Sequence, residues 1–202
     1  MLREERARLQ IARDLHDEIS STLSSINFFS EAIDKSKIVD EKSRHFLNLI
    51  GNSSFEAKEK ISDIIWVTHP ENDSWETFII KCKRKASDLL ETREIEHEFS
   101  ASGDFPSNIT LPVKKNAWLI FREVLANSVK HAEADFVKIV FHARRSEISC
   151  EISDNGIGFD PENISSDGYG IDNIKSRVKE LNGNFDLSSS DNGTQWKITI
   201  PI

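Results

Sequence analysis

The sequence predicts an α+β fold: a helical hairpin that forms a dimeric four-helix bundle, then an α/β sandwich with a mixed, mostly antiparallel sheet. Three features predict it. Apolar residues recur at helical spacing over the first third of the chain. After His69-Pro70-Glu71-Asn72-Asp73 the pattern changes to short alternating runs set between helical segments. Turn residues bound those runs. At 202 residues the chain is long enough for two domains with cores of their own. The division is expected at residues 1–68, with 69–73 as linker and 74–202 as the second domain.

Residues 2 to about 37 read as one helix, with Leu9, Ala12, Ile19, Leu23, Ile26 and Ile33 at spacings of three, four and seven and no Gly or Pro. A second helix is expected from about Asp40 to Val67, with Phe46, Leu49, Ile50, Ala57, Ile61, Ile64 and Ile65 on one side and Pro70 ending it. Two such helices alone make a poor core. A pair from each of two chains buries both stripes, so burial itself predicts a homodimer. Ser74 is placed to cap a helix reaching about Glu91, Ile95–Phe99 reads as a short strand, and Pro112 opens a helix to about His131. Val137, Ile139 and Phe141 alternate, as do Ile148, Cys150 and Ile152, and the two runs flank Ala143–Ser146 as adjacent antiparallel strands. A helix from about Ile171 to Leu181 stops at Asn182-Gly183, and strands near Asn184–Ser188 and Thr194–Ile200 end the chain.

A net charge of −8 argues against nucleic acid as the main partner. The one dense basic run, Lys81-Cys82-Lys83-Arg84-Lys85, reads as a solvated helix face. Cys82 and Cys150 have neither metal-site nor disulfide-framework spacing, which fits a reducing cytoplasm. No apolar run approaches the ~20 residues a membrane helix needs. The charged start, Met1-Leu2-Arg3-Glu4-Glu5-Arg6, is not a signal peptide. A start inside a helix suggests a longer parent. A cytoplasmic location is expected, either for the whole protein or for the cytoplasmic part of a membrane-bound sensor, with membrane contact only through a missing N-terminal region.

Four stretches carry candidate chemistry. In Arg13-Asp14-Leu15-His16-Asp17-Glu18, His16 falls roughly 60° from the centre of the first helix's apolar stripe, held yet reachable. Neutral imidazole is a nucleophile near pH 7, and Asp17 can fix its tautomer. Alone, a helix-edge histidine beside acids is more often a salt-bridge partner. In the helix ending at His131, Glu123, Asn127, Lys130 and His131 point one way, while Phe121, Val124, Leu125 and Ser128 occupy the other side. Glu123 and Asn127 offer hard oxygens to Mg²⁺, and Lys130 and His131 offset phosphate charge. Alone, this is an ordinary amphipathic helix.

The third stretch is Asp154-Asn155-Gly156-Ile157-Gly158, where a strand-end carboxylate can accept from the exocyclic amine of adenine and the glycines allow close backbone approach. An Asn-Gly hairpin turn is its rival. The fourth, Gly168-Tyr169-Gly170, precedes a helix, so its free amides could cradle phosphates. It lacks the third glycine of a dinucleotide fingerprint, and no Walker A sequence is present. Besides these four, Gly193-Thr194 opens the last strand, where a hydroxyl could reach the base.

Together, in this order, these stretches resemble the two-component sensor histidine kinases of the subfamily linked to NarL-type response regulators. The resemblance covers nearly the whole chain. It makes Leu15-His16-Asp17-Glu18 the H box of a dimerisation and phosphotransfer domain. The remainder becomes an ATP-binding domain of the gyrase, Hsp90, histidine kinase and MutL superfamily. Glu123 to His131 matches the N box, with Asn127 at Mg²⁺, and Asp154 to Gly158 matches the G1 box, with Asp154 on adenine. Gly168-Tyr169-Gly170 matches the G2 box after a short lid at about Asp160 to Asp167, and Gly193-Thr194 matches the G3 segment. The resemblance implies transfer of the ATP γ-phosphoryl to His16 and then to an aspartate of a response regulator.

Two readings compete: an ATPase or serine kinase sharing the nucleotide domain, and a catalytically silent dimeric scaffold. The subfamily often carries a glutamine four residues after the acidic partner of the histidine, associated with dephosphorylating the regulator. Here Ser21 stands there, so kinase rather than phosphatase function is expected.

Overall fold

The computed structural model describes residues 19, 21–34, 40–160 and 169–202. The chain divides into two compact units that meet at Asn72 and Asp73.

The first unit holds helices α1 (Ser21–Asp34) and α2 (Glu41–Thr68). The Asp40 carboxylate caps α2 by accepting the Ser43 N–H at 2.7 Å, and that bond holds its pKa below the ordinary carboxylate value. At the other end the His69 N–H reaches the Ile65 carbonyl, Pro70–Asn72 form a 3-10 turn, and the Asn72 amide donates to the Trp66 carbonyl at 3.0 Å. Small groups meet at one point of the seam: Ser30 is buried and donates to the Leu47 carbonyl at 2.6 Å, and Gly51 lies against Asn27 and Ser30. Leu23, Leu47, Ile61 and Ile65 are half-buried, whereas Phe28, Phe29, Ile33, Phe46, Leu49 and Ile50 are exposed. One hairpin leaves its own stripe uncovered.

The second unit is a sheet with helices on one face. Ser74 caps α3 (Trp75–Glu91) by accepting the Thr77 N–H at 3.1 Å, and Pro112 sits in the first turn of α4 (Leu111–His131), where it lacks only a donor that had no partner. The third helix is α5 (Tyr169–Glu180). It ends where Asn182 takes a left-handed φ of 52° and the Gly183 N–H returns to the Val178 carbonyl at 3.0 Å. Strands β1 (Glu96–Gly103), β2 (Phe136–Arg144), β3 (Glu147–Asp154), β4 (Asn184–Ser190) and β5 (Gly193–Pro201) line up as β1-β2-β3-β5-β4. Only β1 and β2 are parallel.

The register builds the core. Three inner-face rows, Ile139–Ile152–Trp196, Phe141–Cys150–Ile198 and Ala143–Ile148–Ile200, are almost wholly apolar. Phe141 is their centre, with ring centroids of Phe99, Phe121 and Phe78 at 5.7, 6.0 and 6.3 Å. Burial pushes the Cys82 thiol up, and burial with the Glu151 carboxylate does the same for Cys150, so both stay protonated at neutral pH. The first strand runs four residues beyond the expected Phe99, to Gly103. Ser100 to Gly103 carry little strand propensity, and pairing with Val140 to Ala143 of β2 decides their conformation.

Lys114, in the first turn of α4, has a fully buried side chain whose ammonium pairs with Asp73 at 2.5 Å. The Asp73 carbonyl also accepts the Ile109 N–H, so the first residue of this unit is fastened to its core. A buried cation beside a helix N-terminus opposes the helix dipole and depends on that carboxylate. Asp73→Ala is expected to cost about 3 kcal/mol by removing the carboxylate paired with a buried ammonium, and Lys114→Met clearly less, both read from urea unfolding midpoints.

Candidate functional site

The fourth inner-face row, at one end of the sheet, departs from the apolar pattern. It runs Val137–Asp154–Thr194–Ser189 across β2, β3, β5 and β4. Strand alternation that points Ile148 and Ile152 into the core points Asp154 there too, and Asp154 is only 8% exposed. A buried carboxylate needs donors. Its Oδ1 accepts the N–H groups of Gly156 at 3.2 Å and Thr194 at 3.1 Å, and its Oδ2 accepts the Ser128 hydroxyl at 2.9 Å. The Thr194 and Ser189 hydroxyls lie 2.9 Å apart, and the Ser189 oxygen also accepts the Phe159 N–H at 2.9 Å. The Phe159 ring stands 6.2 Å from that of Trp196, so the chain leaving the loop after β3 is fixed to the last hairpin.

The glycines of this loop are set by close approach. A Cβ on Gly156 would strike the Ala132 carbonyl, which also accepts the Ile157 N–H at 2.8 Å. Gly158 has a φ of 61° and lies against the Ser190 carbonyl, and Gly193 has a φ of 118° against the Asp154 carbonyl. Asn155 ties the loop to the start of β2: its Oδ1 accepts the N–H groups of Asp135 and Phe136, and its amide donates to the Asp135 carboxylate.

On α4, Glu123 and Asn127 are half-buried and Lys130 and His131 exposed, while Phe121, Val124, Leu125 and Ser128 are buried, as the helical pattern requires. None of the four polar residues makes a side-chain hydrogen bond to any described residue. The Glu123 carboxylate packs against Gly170. Gly170 is expected from the sequence in a loop before a helix, but it lies in the first turn of α5.

The structure therefore brings Asp154, Gly156, Gly158 and Thr194 together, with Glu123 beside Gly170. His16, Asp17 and Gly168 lie outside the described residues. Three contributors are missing from the sequence reading: Ser128, Asn155 and Ser189. Only Ser128 left a signal, as a polar residue on the apolar side of its helix. Among the described residues, no three His, Cys, Asp or Glu side chains gather as a metal cage. Glu123 and Asn127 would supply one carboxylate and one amide, a donor set that fits Mg²⁺, which keeps waters and binds with phosphates.

Residues 5–73 match the family model described as "Histidine kinase", and residues 114–202 match "Histidine kinase-, DNA gyrase B-, and HSP90-like ATPase". The chain belongs to the sensor histidine kinases. The two matches lie in the order expected from the motifs, the histidine kinase match first and the ATPase-type match after it, in keeping with the NarL-linked subfamily. The chain is 25% identical over 205 residues to the sensor histidine kinase LiaS of Bacillus subtilis (strain 168), across all of this chain and 55% of that protein. It is 27% identical over 195 residues to DesK of the same organism, across 96% of this chain and 50% of that one. The chain spans about half the length of these relatives. The histidine kinase domain from the Erythrobacter litoralis EL346 blue-light activated histidine kinase shares the fold, with a TM-score of 0.61, 15% identity, and coverage of 93% of this chain and 94% of that one.

Gly156→Ala is expected to weaken nucleotide binding at least tenfold and to lower the melting temperature, because the Cβ meets backbone that cannot move aside. Calorimetric titration with ADP and a thermal melt check both.

Proposed function

We propose that this kinase transfers the γ-phosphoryl of ATP to His16, and from there to an acceptor aspartate of a response regulator. The observation that carries the reading is the buried Asp154 carboxylate at the end of the inner sheet face, held by two backbone amides and a hydroxyl beside the Thr194 hydroxyl. Such an acceptor suits the exocyclic amine of adenine. Gly156, Gly158 and Thr194 shape the base pocket, and Gly168 and Gly170 would supply backbone amides to the phosphates. Lys130 and His131 would offset phosphate charge. Glu123 and Asn127 would hold Mg²⁺, which would neutralise charge on the phosphate oxygens.

The neutral ring nitrogen of His16 attacks the γ-phosphorus, the bond to the β-phosphate oxygen breaks, and ADP leaves. Asp17 holds the imidazole tautomer and takes up the ring proton. The protein's contribution is positioning and electrostatics. Residues 1–68 act as the dimerisation and phosphotransfer domain, 69–73 as linker and 74–202 as the ATP-binding domain, in a cytoplasmic setting. A second copy covers the exposed stripe of α1 and α2 and completes a four-helix bundle.

Two measurements test this. Incubation with γ-labelled ATP and Mg²⁺ is expected to give acid-labile, alkali-stable label on the chain and none on His16→Gln. Label surviving in the variant moves the acceptor elsewhere and favours a serine kinase, and ATP binding without label on either chain favours a silent scaffold. Ile50→Glu, which sets a charge in the exposed stripe, is expected to convert dimer to monomer in light scattering while leaving the second unit's ADP affinity within about twofold.

A further inference from the structure

We propose that Ser128 sets the base specificity of the nucleotide site, by fixing which lone pair of Asp154 is left for the exocyclic amine. The inference rests on the nucleotide reading above and assigns a residue to it that none of the four stretches supplies as a ligand.

A carboxylate offers about four acceptor positions. Oδ1 of Asp154 spends both of its positions on the backbone N–H groups of Gly156 and Thr194. Oδ2 takes the Ser128 hydroxyl, which leaves one. The three donors come from three elements: the loop after β3, strand β5 and helix α4. The two amides belong to the backbone and are supplied by no side chain. Ser128 is the side-chain donor, and it is the one fixed to the helix that also carries Glu123 and Asn127.

Both partners are deep, with Ser128 2% exposed and Asp154 8% exposed. Water therefore has little room to replace the hydroxyl. Without it, Oδ2 holds two open positions and no longer presents one direction to an incoming N–H. A site built to meet a substrate N–H discriminates strongly against an analogue that lacks it. Ser128 acts through Asp154, so it is a positioning residue, and its effect belongs to nucleotides that carry the exocyclic amine.

The experiment compares ADP with purine riboside 5′-diphosphate, which has hydrogen in place of that amine, by calorimetric titration of the intact chain. Neither ligand turns over. The unmodified chain is expected to bind ADP at least tenfold more tightly than the analogue. Ser128→Ala is expected to weaken ADP about tenfold and to change the analogue by less than twofold. Ser128→Cys keeps the bulk and donates weakly, and is expected to move the same ratio by a smaller factor. Equal losses for both nucleotides would make Ser128 a packing residue only and overturn the proposal, as would ADP affinity unchanged in both variants. A failure of the unmodified chain to bind ADP, or to distinguish it from the analogue, would instead bring down the assignment of Asp154 to adenine.

Discussion

Asp154 sits on the inner face of a sheet whose other three rows are almost wholly apolar, and burying its carboxylate obliges the rest of the site to exist. A charge-bearing group at that depth requires donors on fixed supports. Two come from backbone that must pass very close, which is why Gly156 and Gly193 stand where a Cβ would strike the Ala132 and Asp154 carbonyls. The third comes from α4, and α4 can deliver it because its apolar side is packed on the sheet. Loop, helix and last hairpin are thus held to one another by what a single side chain needs.

The Thr194 and Ser189 hydroxyls join the buried Asp154 row to the Phe159 N–H, so the loop after β3 is tied to the last hairpin through the same side chains that surround the carboxylate. On the helical unit the reverse holds. Small groups meet at Ser30 and Gly51, and Phe28, Phe29, Phe46, Leu49 and Ile50 are exposed. The helices are stable together only to the extent that something covers that stripe, and a second copy offers a matching one.

Most of the secondary structure was legible because it follows from local chemistry. Ser74, Asp40 and Pro112 start helices through donors and dihedrals that depend on nearest neighbours, and Asn182-Gly183 ends one for the same reason. Strand alternation placed Val137, Ile139 and Phe141 and then Ile148, Cys150 and Ile152 on one face. The strand ending at Gly103 was legible only in its first half, since the remainder is extended by its partner and not by its own residues. The last helix begins two residues before the expected Ile171, so Gly170 falls inside it, because a helix start is set by packing as well as by glycine.

The sequence by itself determined the family, the order of the units and the identities of Asp154, Gly156, Gly158 and Thr194, since motif spacing and periodicity are properties of the chain alone. Tertiary structure alone decided what surrounds them. Ser128 meets Asp154 across 26 positions, and Thr194 meets it across 40. Asn155 clasps Asp135 just before the start of β2. Those encounters depend on sheet register and on how α4 lies over it, and no local pattern encodes a distance between residues that only folding brings together.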